Sequence, residues 1–395
     1  MKHWPTKPLE QIADLFGGST PSRNNPLFWG GDIHWATPTD LPMPDEGISV
    51  VSRTRDRITQ AGLDNSAATI VPKGTVLFSS RATIGKVAVA DIPLTTNQGF
   101  ANFVPRSEII SRFLAYSLWY RREDIARLSG STTFKEVSRS TFRKYQIPVP
   151  PLAEQERIVK LLDEADELRK LRAQADHCTA ELIPAFFHKM FGDPACNSKR
   201  WPIVPASDLM ILCEYGCSQK ANEDSEGVPM LRMGNVTSVG LLDLTNLKHV
   251  LFNKDELAKY RLASGDVLFN RTNSRELVGK TGMWDGRFEA VAASYFIRIR
   301  FDPAREHPQH FTTFMNLPHM KQRLMEMARG AIGQSNINAQ ELKAIPIPVP
   351  PLPLQKEFAQ RVMEIRELEA SQAASRLRLE ELFQSLLHRA FNGEL

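Results

Sequence analysis

The heptapeptide Gln146-Ile147-Pro148-Val149-Pro150-Pro151-Leu152 returns 200 residues later as Pro346-Ile347-Pro348-Val349-Pro350-Pro351-Leu352. Downstream, the same shift pairs Gln155 with Gln355, Glu181-Leu182 with Glu381-Leu382, His188 with His388 and Phe191 with Phe391, and upstream it pairs Gly130 with Gly330. A repeat this long means one structural plan used twice, so the chain must form two copies of an A-B unit. The B parts are better preserved than the A parts. In the latter, Gly74-Thr75-Val76-Leu77-Phe78 answers Gly265-Asp266-Val267-Leu268-Phe269, and Arg81 with Gly85-Lys86 answers Arg271 with Gly279-Lys280.

Each B part reads as a long helix. Alternating Ile/Val and Pro hold the preceding backbone extended, and Pro151 and Pro351 suit a first helical turn. Glu154 and Glu156 complement the helix N-terminus, while His188-Lys189 and His388-Arg389 fall near the C-terminal ends. Apolar or small residues recur at helical spacing: Leu161, Ala165, Leu168, Ala175 and Leu182, then Val362, Ile365, Leu368, Leu379, Leu382 and Leu386. The spacing predicts that the two helices pair with each other, antiparallel, through Leu161, Ala165, Leu168, Leu182, Ile365, Leu368, Leu379 and Leu382. Pro184 is expected to end or kink the first helix.

The A parts read as mixed α/β. Short runs rich in Val, Ile and Phe at 75–79, 86–90, 267–270 and 295–300 predict strands, and 109–127 and 310–328 predict helix. With 395 residues, more than one core is expected. No apolar run reaches the roughly 18 residues of a membrane helix. Cys178, Cys196, Cys213 and Cys217 are too scattered for a disulfide framework or a zinc site, so a cytosolic chain with reduced thiols and no metal is expected. Net charge is only +4, but residues 152–190 and 352–395 hold 12 Lys+Arg against 15 Asp+Glu, leaving 37 against 30 elsewhere. The positive excess therefore lies in the A parts, which favours an anionic partner there.

Catalytic motifs are missing. Val278-Gly279-Lys280-Thr281 resembles the end of a phosphate-binding loop, yet Ser274 stands where its first glycine belongs. Both Pro-Pro pairs are followed by leucine rather than by the aromatic of a DNA aminomethyltransferase tetrapeptide. Glu341-Leu342-Lys343 has a nuclease-like ending without an acidic partner upstream. A non-enzyme is expected. What remains is binding apparatus: Arg81, Lys86, Asn97 and Gln98 in the first copy, and Asn270, Arg271, Asn273, Arg275 and Lys280 in the second. Arg suits guanine and Asn/Gln suit adenine in the major groove, so these residues are the candidate contacts to double-stranded DNA. Gly85 and Gly279 are expected to serve backbone geometry.

The duplicated Pro-x-Pro-Pro-Leu-x-x-Gln followed by a long helix resembles the repeated regions of type I restriction-modification specificity subunits. So do Gly18-Ser19-Thr20-Pro21, the stretch from Leu77 to Lys86 and, most specifically, the stretch from Pro150 to Val159. The second copy departs from the pattern at Pro353-Leu354 and Phe358 and carries a longer segment around Asn270 to Val278. The resemblance covers essentially the whole chain. It implies recognition domains at 1–150 and 192–349, spacer helices at 151–191 and 350–395, and a pseudo-twofold α+β architecture with a coiled-coil-like spacer. It further implies a non-catalytic, cytoplasmic, DNA-associated protein with no membrane partner, which joins two modification subunits and, separately, restriction subunits. Adenine N6-methylation with AdoMet, and cleavage with ATP and Mg, then belong to those partners. A stand-alone DNA-binding regulator or scaffold on the same duplication is the alternative.

Overall fold

The computed structural model describes residues 4–130, 135–223, 226–331 and 334–395. Two compact units are present: Met1–Ala173 with Ala374–Leu395 (unit 1), and Gln174–Ala373 (unit 2). The division falls within both long helices. The four consecutive segments read from the sequence are thus regrouped, each unit taking one mixed α/β region and part of each helix.

Unit 1 is layered around a five-stranded sheet, in the order Ala13–Gly17, Phe100–Pro105, Val76–Ser79, Val87–Ala90, Ile48–Val51. Its pairings are antiparallel except the last, which is parallel. The central strands are apolar on both faces, as a sheet covered on both sides requires. Val76, Phe78, Val87, Val89, Ala101 and Phe103 point into a core shared with helix Ser111–Tyr120 and the long helices. Leu77, Ala88, Ala90 and Phe100 point into a second core. There the sheet meets a small three-stranded sheet, in the order Asp56–Ile58, Trp29–Ala36, Thr95–Thr96.

Unit 2 repeats the plan with four strands in its large sheet: Met210–Tyr215, Phe296–Phe301, Val267–Asn270, Thr281–Met283. Val267, Phe269, Ile297 and Ile299 face the helical core, while Leu268 and Phe296 face the other. Its small sheet runs Lys248–Val250, Val228–Leu231, Val291–Ala292. The predicted helices 109–127 and 310–328 are each broken in two, as Ser111–Tyr120 with Arg122–Arg127 and Pro308–Asn316 with Pro318–Met327. In the second copy Pro318 opens the new helix, where its missing N–H costs nothing.

The long helices begin at Leu152 and Leu352, each after its Pro-Pro pair. A buried glutamine ties each first turn to its unit. The Gln155 side-chain amide donates to Pro150 O at 2.8 Å and Glu108 O at 2.9 Å, and its oxygen accepts from Ile110 N at 2.9 Å. Gln355 repeats this with Pro350 O at 2.8 Å and His307 N at 2.7 Å. The first helix ends at Ala180, and Pro184 lies in the first turn of a new one, Leu182–Phe191. Gln384 occupies the matching place in the second copy, and that helix continues unbroken to Phe391.

Within unit 2 the pairing is antiparallel. Gln372 donates to Thr179 at 3.0 Å, and further along Phe187 meets Phe358 with ring centroids 5.6 Å apart. In unit 1 the seam is Ile158, Leu162 and Ala165 against Phe383, Leu387, Ala390 and Phe391, all buried. The predicted seam was rotated from this one. Ala165 and Ile365 are buried and Leu161, Leu182 and Leu379 half-buried, but Leu168, Leu368 and Leu382 are 51%, 45% and 49% exposed. The cause is polar. Asp166 is 3% exposed and holds Arg169 at 3.2 Å and Lys170 at 2.6 Å, and Arg169 crosses to Glu380 at 2.8 Å. An apolar pattern cannot see a seam whose middle is a satisfied charge network.

Candidate nucleic-acid interface

The turn between strands Val76–Ser79 and Val87–Ala90 shows how the candidate residues are placed. Ser79 N donates to Lys86 O at 2.9 Å and Gly85 N to Ser79 O at 3.1 Å. Gly85 sits at φ +100, and a Cβ there would meet the Cβ of Arg122 at 2.9 Å, so glycine is required. This closure aims Lys86 inward. Its ammonium is buried and donates to Pro38 O at 2.8 Å and Leu41 O at 3.2 Å, holding the turn Pro38–Asp40.

Unit 2 builds the same device. Asn270 N donates to Lys280 O at 2.9 Å and Gly279 N to Asn270 O at 2.8 Å. Lys280 Nζ is buried and donates to Met233 O at 2.9 Å, in the equivalent turn Met233–Asn235. Burial pushes its pKa down. Beside it, Lys321 donates to Gly279 O at 3.0 Å, and burial together with the Lys280 charge pushes Lys321 down to about 7. Asn270 is fully buried, its amide 3.5 Å from Met233 O. The expectation that Lys86, Lys280 and Asn270 face an anionic partner is therefore corrected. The two ammonium groups and the Asn270 amide nitrogen already serve carbonyls inside the fold, where an unmade bond is costly.

The pairing of Arg81 with Arg271 is also corrected. Val137 N donates to Ser80 O at 3.1 Å, and Ile337 N donates to Arg271 O at 2.9 Å, so Ser80 is the counterpart of Arg271. The extra residues of the second turn form a strand, Thr272–Asn273, beside Gln334–Asn336. The Arg271 guanidinium lies over the Tyr215 ring at 4.7 Å, with Nη1 3.4 Å from Ser294 O. Asn273 accepts from Ser274 N at 2.9 Å, shaping its own turn. Arg275 is exposed. In unit 1, Arg81 is exposed and pairs with Glu136 at 2.7 Å, and Asn97 accepts from Gly99 N at 2.9 Å. Gln98, exposed, accepts from the Thr20 hydroxyl. Arg81 and Gln98 in unit 1, and Arg271 and Arg275 in unit 2, are thus the candidates whose side chains reach solvent with binding capacity.

In unit 1, Gly18-Ser19-Thr20-Pro21 marks the loop at 17–25, whereas the segment at 52–57 carried no site expectation. Two indoles order the loop: Trp35 Nε1 donates to Ser19 O at 2.9 Å and Trp29 Nε1 to Ser22 O at 3.1 Å. Arg23 lies on the Trp29 ring at 3.9 Å and bonds Asp56 at 2.9 Å. The alternation Arg53-Thr54-Arg55-Asp56-Arg57 was the available signal, and all three arginines are exposed. His34, opposite Arg57 in the sheet, is held below its ordinary pKa by burial and by that arginine's charge. Such an arrangement can hold anions but offers no paired acid, base and nucleophile. Among the described residues no group of three or more His, Cys, Asp or Glu could hold a metal, and no helix is long and apolar enough to cross a membrane.

Comparison with known proteins gives concordant matches. The family described as "Type I restriction modification DNA specificity domain" matches twice, at residues 1–175 and 200–374. The chain is 26% identical over 415 residues to the type I restriction enzyme MjaIX specificity subunit of Methanocaldococcus jannaschii, spanning 100% of this chain and 94% of that one. It is 30% identical over 346 residues to the EcoKI specificity subunit of Escherichia coli, spanning 80% and 73%. A solved structure of a type I R-M system shares the fold at TM-score 0.64 and 18% identity, covering 99% of this chain and 98% of that one. The S subunit from M. genitalium does so at TM-score 0.60 and 15% identity, covering 98% and 96%.

Proposed function

Because this chain belongs to the family of type I restriction-modification specificity subunits, the non-catalytic components that give such systems their DNA sequence specificity, we propose that each unit reads one half of a bipartite double-stranded DNA target. The double match of the specificity domain carries this reading, because two copies with diverged loops supply two independent readers. The half-sites then differ in sequence, as the turn at 80–84 differs from the turn at 271–278 in length and residues. Two modification subunits assemble on the chain and methylate adenine N6 in each half, and restriction subunits join separately. AdoMet, ATP and Mg are used by those partners, with no cofactor held by this chain. The exposed leucines of the long helices, Leu168, Leu368 and Leu382, support a docking role for those helices, since packing within the units leaves them uncovered.

Sequencing for N6-methyladenine in a methylation-free host tests the proposal. Co-expression of the chain with its modification subunit is expected to mark one split motif with two fixed halves and an unread gap. Exchange of residues 200–349 for those of a relative should change one half only. Methylation of a continuous motif, or change in both halves, would refute it.

A further inference from the structure

We propose that the outer strand of the small sheet in unit 1, with Arg53, Arg55 and Arg57, is the chain's main grip on the DNA phosphate backbone, and that unit 2 has no equivalent grip. The inference rests on the DNA-specificity reading above and adds which surface supplies sequence-independent affinity.

Strand Asp56–Ile58 lies at the sheet margin, so one side of it and the preceding turn are open. The strand and the segment before it present three exposed guanidinium groups within residues 53–57. Arg55 has one carboxylate at the limit of pairing, Asp40 at 3.9 Å, and no ion pair involves Arg53 or Arg57 among the described residues. Asp56, which could have neutralised them, is turned to Arg23 at 2.9 Å. That arginine is in turn fixed on Trp29, so the acid is held away by an aromatic platform. Three exposed arginines with only one carboxylate, at the limit of pairing, form a cationic row, and arginine's planar fork suits phosphate oxygens.

The matched strand of unit 2, Lys248–Val250, is also outermost in its sheet. Register places His249 where unit 1 has Arg57 and Lys248 where it has Asp56. Lys248 is already paired with Glu223 at 2.8 Å, and the residues before it, Leu244 to Leu247, carry no charge. The balance of whole units agrees. Unit 1 holds 26 Lys+Arg against 22 Asp+Glu, and unit 2 holds 23 against 23, so the chain's entire excess of +4 belongs to unit 1.

Each neutralised phosphate adds roughly 0.9 to the slope of log K against log salt concentration, so three contacts contribute about 2.7. The test titrates the full-length chain against a fluorescein-labelled 30-base-pair random duplex at several NaCl concentrations. Replacing Arg53, Arg55 and Arg57 by Gln should lower the slope by roughly 2 to 3 and weaken binding on the order of 10²-fold near ~0.1 M salt. Replacement by Lys should keep most of the slope. A matched unit 2 variant, with Lys248, Lys254 and Lys259 changed to Gln, should move it by less than about 1. The preference for the methylated motif over a scrambled duplex should be unchanged, since phosphate contacts position without reading bases. An unchanged slope in the folded Gln variant, an equal loss from the unit 2 variant, or altered sequence preference overturns the proposal. Failure of the unaltered chain to bind any duplex at low salt would instead overturn the DNA reading itself.

Discussion

Replacing Gln155 with Met tests whether the clip at the start of the first long helix holds unit 1 together. Methionine conserves length and approximate volume, so packing changes little while three hydrogen bonds vanish. Glu108 lies on the surface, so its carbonyl can regain water. Pro150 O and Ile110 N lose partners at 2.8 and 2.9 Å, beside a side chain that is 0% exposed. An orphaned buried group costs ~1–3 kcal/mol, so the net loss should be about 3 kcal/mol. For a unit of roughly 200 residues that corresponds to a fall of about 6–12 °C in melting temperature. The assay is urea denaturation, with the change expected in midpoint and not in m. Gln355→Met should cost about as much in unit 2. The two sites lie in different units, so the double variant should be additive within about 0.5 kcal/mol. A loss below about 1 kcal/mol for both single variants would show that the clips are ornamental and refute the reasoning.

Lys86→Met and Lys280→Met are expected to destabilise the fold while leaving the salt slope of DNA binding unchanged; a slope loss in stable protein would return them to the interface. Lys321 gives a pH test. Its folded pKa of about 7 lies below the ordinary 10.5, so the unfolded chain binds the extra proton between those values and stability from this group rises with pH across that window. Lys321→Met should flatten the rise, and identical denaturation midpoints against pH for both proteins would contradict it. Leu168→Gln and Leu368→Gln should alter the isolated chain's stability by less than about 0.5 kcal/mol, yet weaken assembly with modification subunits measured by size-exclusion chromatography. Incubated with AdoMet or with ATP and Mg, the purified chain should neither methylate nor cut DNA, and activity in either assay would contradict the non-catalytic reading.

Features set by local chemistry were legible. Prolines at 150–151 and 350–351 announced helices beginning at Leu152 and Leu352, and runs rich in Val, Ile and Phe such as 75–79 announced strands. Gly85 and Gly279 were rightly read as backbone devices. What escaped depends on partners far away in sequence. Lys86 looks like any loop lysine until Pro38, 48 residues earlier, offers its carbonyl. Leu168 reads as seam until Asp166 and Arg169 occupy that place with charge. Arg81 and Arg271 were aligned by identity, whereas backbone bonds from Val137 and Ile337 pair Arg271 with Ser80. Arg53, Arg55 and Arg57 were visible as an alternating row, but only the pairing of Asp56 with Arg23, 33 residues earlier, separates that row from an ordinary polar loop.

Unit 1 is assembled from two stretches of chain, Met1–Ala173 and Ala374–Leu395, and Phe383, Leu387, Ala390 and Phe391 from the second stretch lie in its main core. On the ribosome those four residues emerge only after all of unit 2 has been made. At ~5–20 residues per second, the 200 residues of Gln174–Ala373 take about 10–40 s to translate. Throughout that interval the nascent first unit carries an open apolar trough along Ile158, Leu162 and Trp119. Unit 2 is one continuous stretch and can close before unit 1 does, reversing the usual amino-to-carboxyl order of maturation. The cell must therefore shelter a half-built first unit for tens of seconds, and a ribosome that stalls between codons 374 and 382 releases a chain that has all of unit 2 and none of the four residues that close unit 1.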